Sequence, residues 1–222
     1  MKLSEQTVSI LKNFSTINQN LVIKEGSEIS TMSAMKNIVS KSKVDETFPV
    51  EFAIYDLNEF LSAMSLFTNP ELDFDDNFVL ITEAGSNDTS LKYWYSEPSV
   101  VTTPSKEVTM PSVEVEFPMN SDILSEVQKA AAVIGAPDMV LEDDELRVTT
   151  KKNDTANSYS TSLDTKSDDD ASYKFWFKVE NLKLLPGDYD VEVSEKRISH
   201  FQNKKMPIEY WIALEPESSY GK

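Results

Sequence analysis

Carboxylates at short spacing are the first candidates for chemistry in this chain. Asp73-Phe74-Asp75-Asp76-Asn77 alternates oxygen ligands as a calcium loop does, but the EF-hand pattern needs Gly and Glu where this chain has Phe78 and Ala84. Glu142-Asp143-Asp144-Glu145 falls between two short apolar runs, which reads as a solvated hairpin turn rather than a metal site. His200 is the sole histidine and cysteine is absent, so thiolate zinc sites, disulfides, cysteine nucleophiles and His-rich metal centres are all excluded. His200 itself sits in a strand-like stretch, Arg197-Ile-Ser-His-Phe201, and is expected to be structural. None of the five glycines forms a phosphate-cradling loop. No Ser-His-acid set or carboxylate pair follows from spacing. The expectation is a protein that is not an enzyme and holds neither cofactor nor metal.

The formal charge is −17, and lysine plus arginine against aspartate plus glutamate counts 7 to 15 over residues 1–97 and 14 to 23 over 98–222. Neither half is basic, which argues against a conventional high-affinity nucleic-acid binder. Against that acidic background two lysine-bearing helix faces stand out. Ser4–Asn18 has helical apolar spacing at Val8, Ile10, Leu11, Phe14 and Ile17, leaving Ser9, Lys12, Asn13 and Thr16 outward. Ser121–Ile134 buries Ile123, Leu124, Val127, Ala131 and Ile134, leaves Ser125, Gln128, Lys129 and Ala132 outward, and is ended by Gly135 and Pro137. Carboxylate-poor helix faces are unexpected on so acidic a surface.

The elements that carry these helices occur twice. Phe48, Val50, Phe52 and Ile54 alternate as a strand and run into a short helix from Asp56 to Leu66. Tyr173, Phe175, Phe177 and Val179 alternate likewise and run into Asn181-Leu-Lys-Leu-Leu-Pro186, a second short helix carrying Lys183. An Asx residue opens each, as a helix N-terminus favours. Short strands are expected at 21–24, 28–32, 78–82, 90–95, 113–117, 139–141, 145–150, 158–163, 189–193 and 208–214, with loops at 153–158 and 165–171. Residues 96–112 carry three prolines among Ser and Thr and read as an extended connector. The expected organisation is 1–97, a connector 98–112, and 113–222. No apolar run spans a membrane and no signal-peptide core opens the chain, so a soluble, non-secreted protein is expected.

Met1-Lys-Leu-Ser4, Leu11-Lys-Asn-Phe14, Thr16-Ile-Asn18, Ala53-Ile-Tyr-Asp-Leu-Asn58 with Phe60-Leu61, Leu184-x-Pro-Gly187 and Ala213-Leu-Glu215 together resemble the sliding clamps of T-even bacteriophages, the processivity factors of the phage DNA polymerases. The resemblance runs from the first residue nearly to the last, and the ordered set carries it. It implies an α+β fold of two similar clamp-type domains, helices on an inner face and β-sheets on an outer wall, assembling into a homotrimeric ring. That ring would encircle double-stranded DNA without sequence preference and tether the replicative DNA polymerase in the cytoplasm of an infected bacterial host. An ATP-dependent clamp loader would open it, and late-transcription factors would be further partners. The DNA-facing residues would be Lys12, Lys129 and Lys183, with Lys2, Asn13 and Thr16; Lys36, Lys41 and Lys43 are weaker candidates. Subunits would meet through Leu91, Tyr93, Trp94 and Tyr95 on one side and Tyr159, Thr161 and Leu163 on the other. Partner peptides would enter a pocket of Val100, Val101, Tyr210, Leu214 and Pro216. The alternatives are an acidic β-rich structural or virion-associated protein and, behind it, a metal-dependent hydrolase.

Overall fold

The structure is a computed structural model that describes residues 1–86, 88–151, 155–168 and 170–221. Parts of the loops expected at 153–158 and 165–171 thus lie outside the described residues. The chain divides into two compact units, Met1–Glu107 and Val108–Lys222.

The first unit begins with helix α1 (Glu5–Ile17), started by Ser4, whose hydroxyl accepts the Thr7 N–H at 3.1 Å. Strands β1 (Leu21–Ile23), β2 (Gly26–Met32), β3 (Ile38–Phe48) and β4 (Phe52–Ile54) follow, antiparallel in the order β4-β1-β2-β3. Helix α2 (Leu57–Met64) is capped by the Asp56 carboxylate, which accepts the N–H groups of Asn58 and Glu59 at 2.9 and 3.1 Å. A second sheet, β5 (Pro70–Phe74), β6 (Phe78–Glu83) and β7 (Ser90–Trp94), is a simple meander. Asp73–Asn77 is thus the end of one strand and the turn into the next.

Two expectations change here. The strand expected from Phe48 to Tyr55 is broken: Phe48 ends β3 and Phe52 starts β4, because Pro49 has no N–H for a ladder. The two rings still pack together in the core, centroids 5.9 Å apart. In α1 the buried place expected for Val8 is taken by Thr7, whose hydroxyl donates to Glu46 on β3 at 2.5 Å. A satisfied hydroxyl is no obstacle to burial.

The second unit starts with β8 (Val115–Met119) and helix α3 (Ser121–Ile134), capped by Asn120 and ended by Gly135 in the left-handed region at φ 66°. Then come β9 (Asp138–Glu142), β10 (Glu145–Thr149), β11 (Tyr159–Ser162) and β12 (Ser172–Lys178), followed by β13 (Tyr189–Ser194), β14 (Ile198–Asn203), β15 (Ile208–Ala213) and β16 (Ser219–Gly221). One sheet runs β15-β14-β13-β8 and the other β11-β10-β9-β12-β16. The β9–β10 hairpin turns on Asp143 and Asp144, both at positive φ, as a two-residue turn requires.

The duplication is less exact than its sequence pattern. After β12 there is a single 3₁₀ turn, Val179–Asn181, and no second short helix. Pro186 disfavours helical backbone at Leu185, so too few residues remain to close a helical turn. Leu182, Leu184 and Leu185 are buried from irregular chain instead. Among the described residues no helix is long and apolar enough to cross a membrane.

Candidate functional site

Lys12 and Thr16 are exposed on α1, as expected, and Ser9 is partly so. Lys12 shares a shallow depression of about 600 Å³ with Lys2, Glu5, Val8, Ser9 and Thr68–Pro70, so two of the expected cationic residues are brought together. Asn13 is corrected: it is only 9% exposed. It follows Ile10 by three residues and precedes Ile17 by four, so it lies on the buried stripe. On α3, Lys129 and Gln128 are exposed, and Gln128 donates to the Leu182 carbonyl at 3.1 Å. The carboxylate of that face, Glu126, accepts the Tyr159 hydroxyl at 2.6 Å. Lys183 is partly buried beyond the 3₁₀ turn, so its expected helical placement is also corrected. Lys41 is paired with Glu28 and Glu107 at 3.0 and 3.2 Å, and its bond to Glu28 leads the interactions that raise its pKa.

Both strands expected at the subunit seam keep an open edge among the described residues. β7 pairs only with β6, and β11 only with β10. Trp94 is 64% exposed, so it does not complete a core. Its ring tilts against Phe78 at 5.4 Å, and the Lys92 ammonium sits 4.0 Å over the Phe78 ring. Tyr93 points the other way, edge-on to Phe60 at 5.2 Å, with its hydroxyl donating to the Asp56 carbonyl at 3.3 Å. Burial, then the charges of Glu59 and Asp56, push the Tyr93 hydroxyl up to about 12. Leu91 is half-buried on that same inner side. Tyr95 lies just past β7, its ring 5.1 Å from Phe52. On the other edge Tyr159 and Thr161 are half-buried, whereas Leu163 is buried and lies past the end of β11.

The expected peptide pocket is largely core in this structure. Val101 packs with Val22 and Ala53 in the first unit. Tyr210 is fully buried on β15 between Ile208 and Ile212, and its hydroxyl accepts the Leu185 N–H at 3.2 Å. Leu214 is buried as well, which leaves Val100 and Pro216 as the exposed members. The alternation of β15 explains Tyr210, since positions two apart share a face.

No residue spacing points to the clasp that holds the tail. Glu215 N–H donates to the Trp176 carbonyl at 2.8 Å, and Trp176 N–H to the Ser218 hydroxyl at 2.9 Å. Lys151 bridges Glu215 and Glu217 at 2.7 and 2.8 Å, while Lys178 pairs with the almost fully buried Asp138 at 2.5 Å. His200 is equally well held: Glu192 and Glu209 lie 3.1 and 2.9 Å from its two ring nitrogens, and Trp211 stacks on it.

Residues 2–90 match the family described as DNA polymerase processivity factor, and residues 118–216 match the C-terminal domain of the gp45 sliding clamp. The sliding clamp of Vibrio phage KVP40 is 35% identical, over 97% of this chain and 99% of that protein. This chain belongs to the sliding-clamp family. The sliding clamp of Escherichia phage RB69 is 25% identical over 99% of both chains. Proliferating Cellular Nuclear Antigen from Entamoeba histolytica shares the fold, with a TM-score of 0.69 at 14% identity over 95% of each chain. The clamp fold of two similar domains, rich in antiparallel strands, is therefore established for this chain. As a DNA polymerase processivity factor it is not an enzyme. Family membership displaces both the virion-protein and the hydrolase alternatives.

Proposed function

We propose that three copies of this sliding clamp close a ring around duplex DNA and tether the replicative polymerase for processive synthesis. The observation that carries the reading is that β7 in one unit and β11 in the other each leave an edge unpaired. A chain with two different unpaired edges is built for head-to-tail association, and closure of the ring removes both. The exposed lysines, Lys12 on α1 and Lys129 on α3, give each unit a few DNA contacts of its own. Few phosphate contacts permit sliding, and a ring holds DNA without tight binding. The chain's formal net charge of −17 repels DNA from the rest of its surface.

A separate ATP-dependent loader opens the ring, since the sequence has no phosphate-binding loop of its own. Val100 in one unit and Pro216 in the other each offer exposed apolar contact to partner peptides of the polymerase and of late-transcription factors. The place of action is the cytoplasm of the infected bacterial host. Primer extension on singly primed circular DNA, with polymerase and loader, tests the reading. Product length should rise sharply when the clamp is added, and sedimentation should give a trimer. Product length indifferent to the clamp would reject it.

A further inference from the structure

We infer that the ring seam has one register, with Lys92 of one copy directly opposite Ser162 of the next. The inference rests on the ring reading above and adds what fixes its geometry. The Tyr95 N–H donates to the Asn77 carbonyl at 3.0 Å, and the Leu163 N–H to the Asp144 carbonyl at 2.8 Å. Backbone groups alternate in direction along a strand, so the unpaired ones on these edges belong to Ser90, Lys92 and Trp94, and to Ser160 and Ser162. An antiparallel ladder that pairs Lys92 or Trp94 with β11 must therefore place residue 92 opposite 160, 162 or 164.

Side chains choose among these three. The residues with free backbone groups are also those whose side chains face solvent. One strand further in, Arg147 stands beside Ser160 and Glu145 beside Ser162. Strands lie about 4.8 Å apart, so a long side chain on β7 reaches β10 across a serine. With Lys92 opposite Ser160, its ammonium meets the Arg147 guanidinium, and Trp94 runs past the end of β11. With Lys92 opposite Asp164, only Trp94 remains on the strand, and it faces Glu145. With Lys92 opposite Ser162, Lys92 reaches Glu145 and the Trp94 indole lies beside Arg147 over Ser160, a favourable cation–π arrangement. On the other face the same register sets Leu91 against Leu163 and Tyr93 against Thr161. Glu145 has room for the new partner, since its contact with Arg147 is long at 3.7 Å.

The absence of cysteine makes the test clean. In the inferred register Tyr93 and Thr161 form a non-hydrogen-bonded pair with Cα atoms about 4.5 Å apart, within disulfide range. Under mild oxidation Tyr93→Cys/Thr161→Cys should cross-link into a closed trimer, whereas Tyr93→Cys/Tyr159→Cys and Tyr93→Cys/Leu163→Cys should not. Independently, Lys92→Glu should weaken association about fivefold per seam, and Glu145→Lys in the same chain should restore it, read by sedimentation across a dilution series. Cross-linking of either competing pair, or failure of Glu145→Lys to rescue Lys92→Glu, would overturn the register while leaving the ring intact. A wild-type chain that sediments as a monomer at all concentrations would overturn the ring reading itself.

Discussion

Glu46 ties the first helix to the strand beneath it. Burial pushes its carboxyl up, but hydrogen bonds from Thr7 and Ser4 outweigh burial and hold it below the ordinary 4.5. A depressed carboxylate contributes stability that is fully present above its unfolded value and is lost as pH falls through the folded value. Wild-type protein should therefore lose helix α1 early in an acid titration below about pH 4.5, and Glu46→Gln should flatten that acid limb in circular dichroism. Thr7→Val should cost about 1 kcal/mol at neutral pH in urea unfolding, because it removes a donor to a charged group without opening a cavity. The lysines proposed to face DNA make the second prediction at this scale. Lys12→Glu with Lys129→Glu should leave the urea midpoint unchanged and reduce polymerase stimulation about tenfold at moderate salt, less so at low salt. Lys12 was legible in the sequence because three of its four neighbours three and four residues away, Ser9, Ser15 and Thr16, are polar. Asn13 was misread because a buried polar residue carries no apolar mark.

At the scale of elements, the sequence was legible wherever burial and hydropathy coincide. The helices α1 and α3, and strands such as β6, β10 and β13, follow from apolar spacing and caps alone. β3 was hidden because its inward positions include Ser40 and Ser42, both buried, so the period of two carries no hydropathy signal. β5 was hidden by its opening Pro70, which an edge strand tolerates at its first position. The second short helix was wrongly expected because leucine spacing fits a helix equally well when the chain is irregular. The segment that replaces it has its own requirement. Gly187 sits at φ 157°, and a Cβ there would lie 2.6 Å from Asn203 Nδ2. Asn203 has little freedom to retreat, since its Oδ1 accepts the N–H groups of Lys205 and Met206 at 2.9 Å each. Gly187→Ala should therefore lower stability by about 1–3 kcal/mol in thermal unfolding, from overpacking.

At the scale of the whole molecule, assembly has a built-in optical reporter. Of the three tryptophans, Trp176 and Trp211 are buried and Trp94 is exposed. Dilution through the trimer–monomer range should shift the emission of Trp94 towards the red, and Trp94→Phe should abolish the change. Emission that ignores dilution while sedimentation reports dissociation would remove Trp94 from the seam. The proposed seam has a genetic consequence as well. Because β7 and β11 are different surfaces, a subunit crippled on one edge still docks through the other and terminates the circle it joins. Co-expressed in equal amounts with intact protein, such a subunit leaves about one ring in eight free of it, the cube of one half for a three-membered closed assembly. A host making the damaged copy would then restrict replication of the phage far beyond simple dilution of the intact protein, and resistance would behave as a dominant trait.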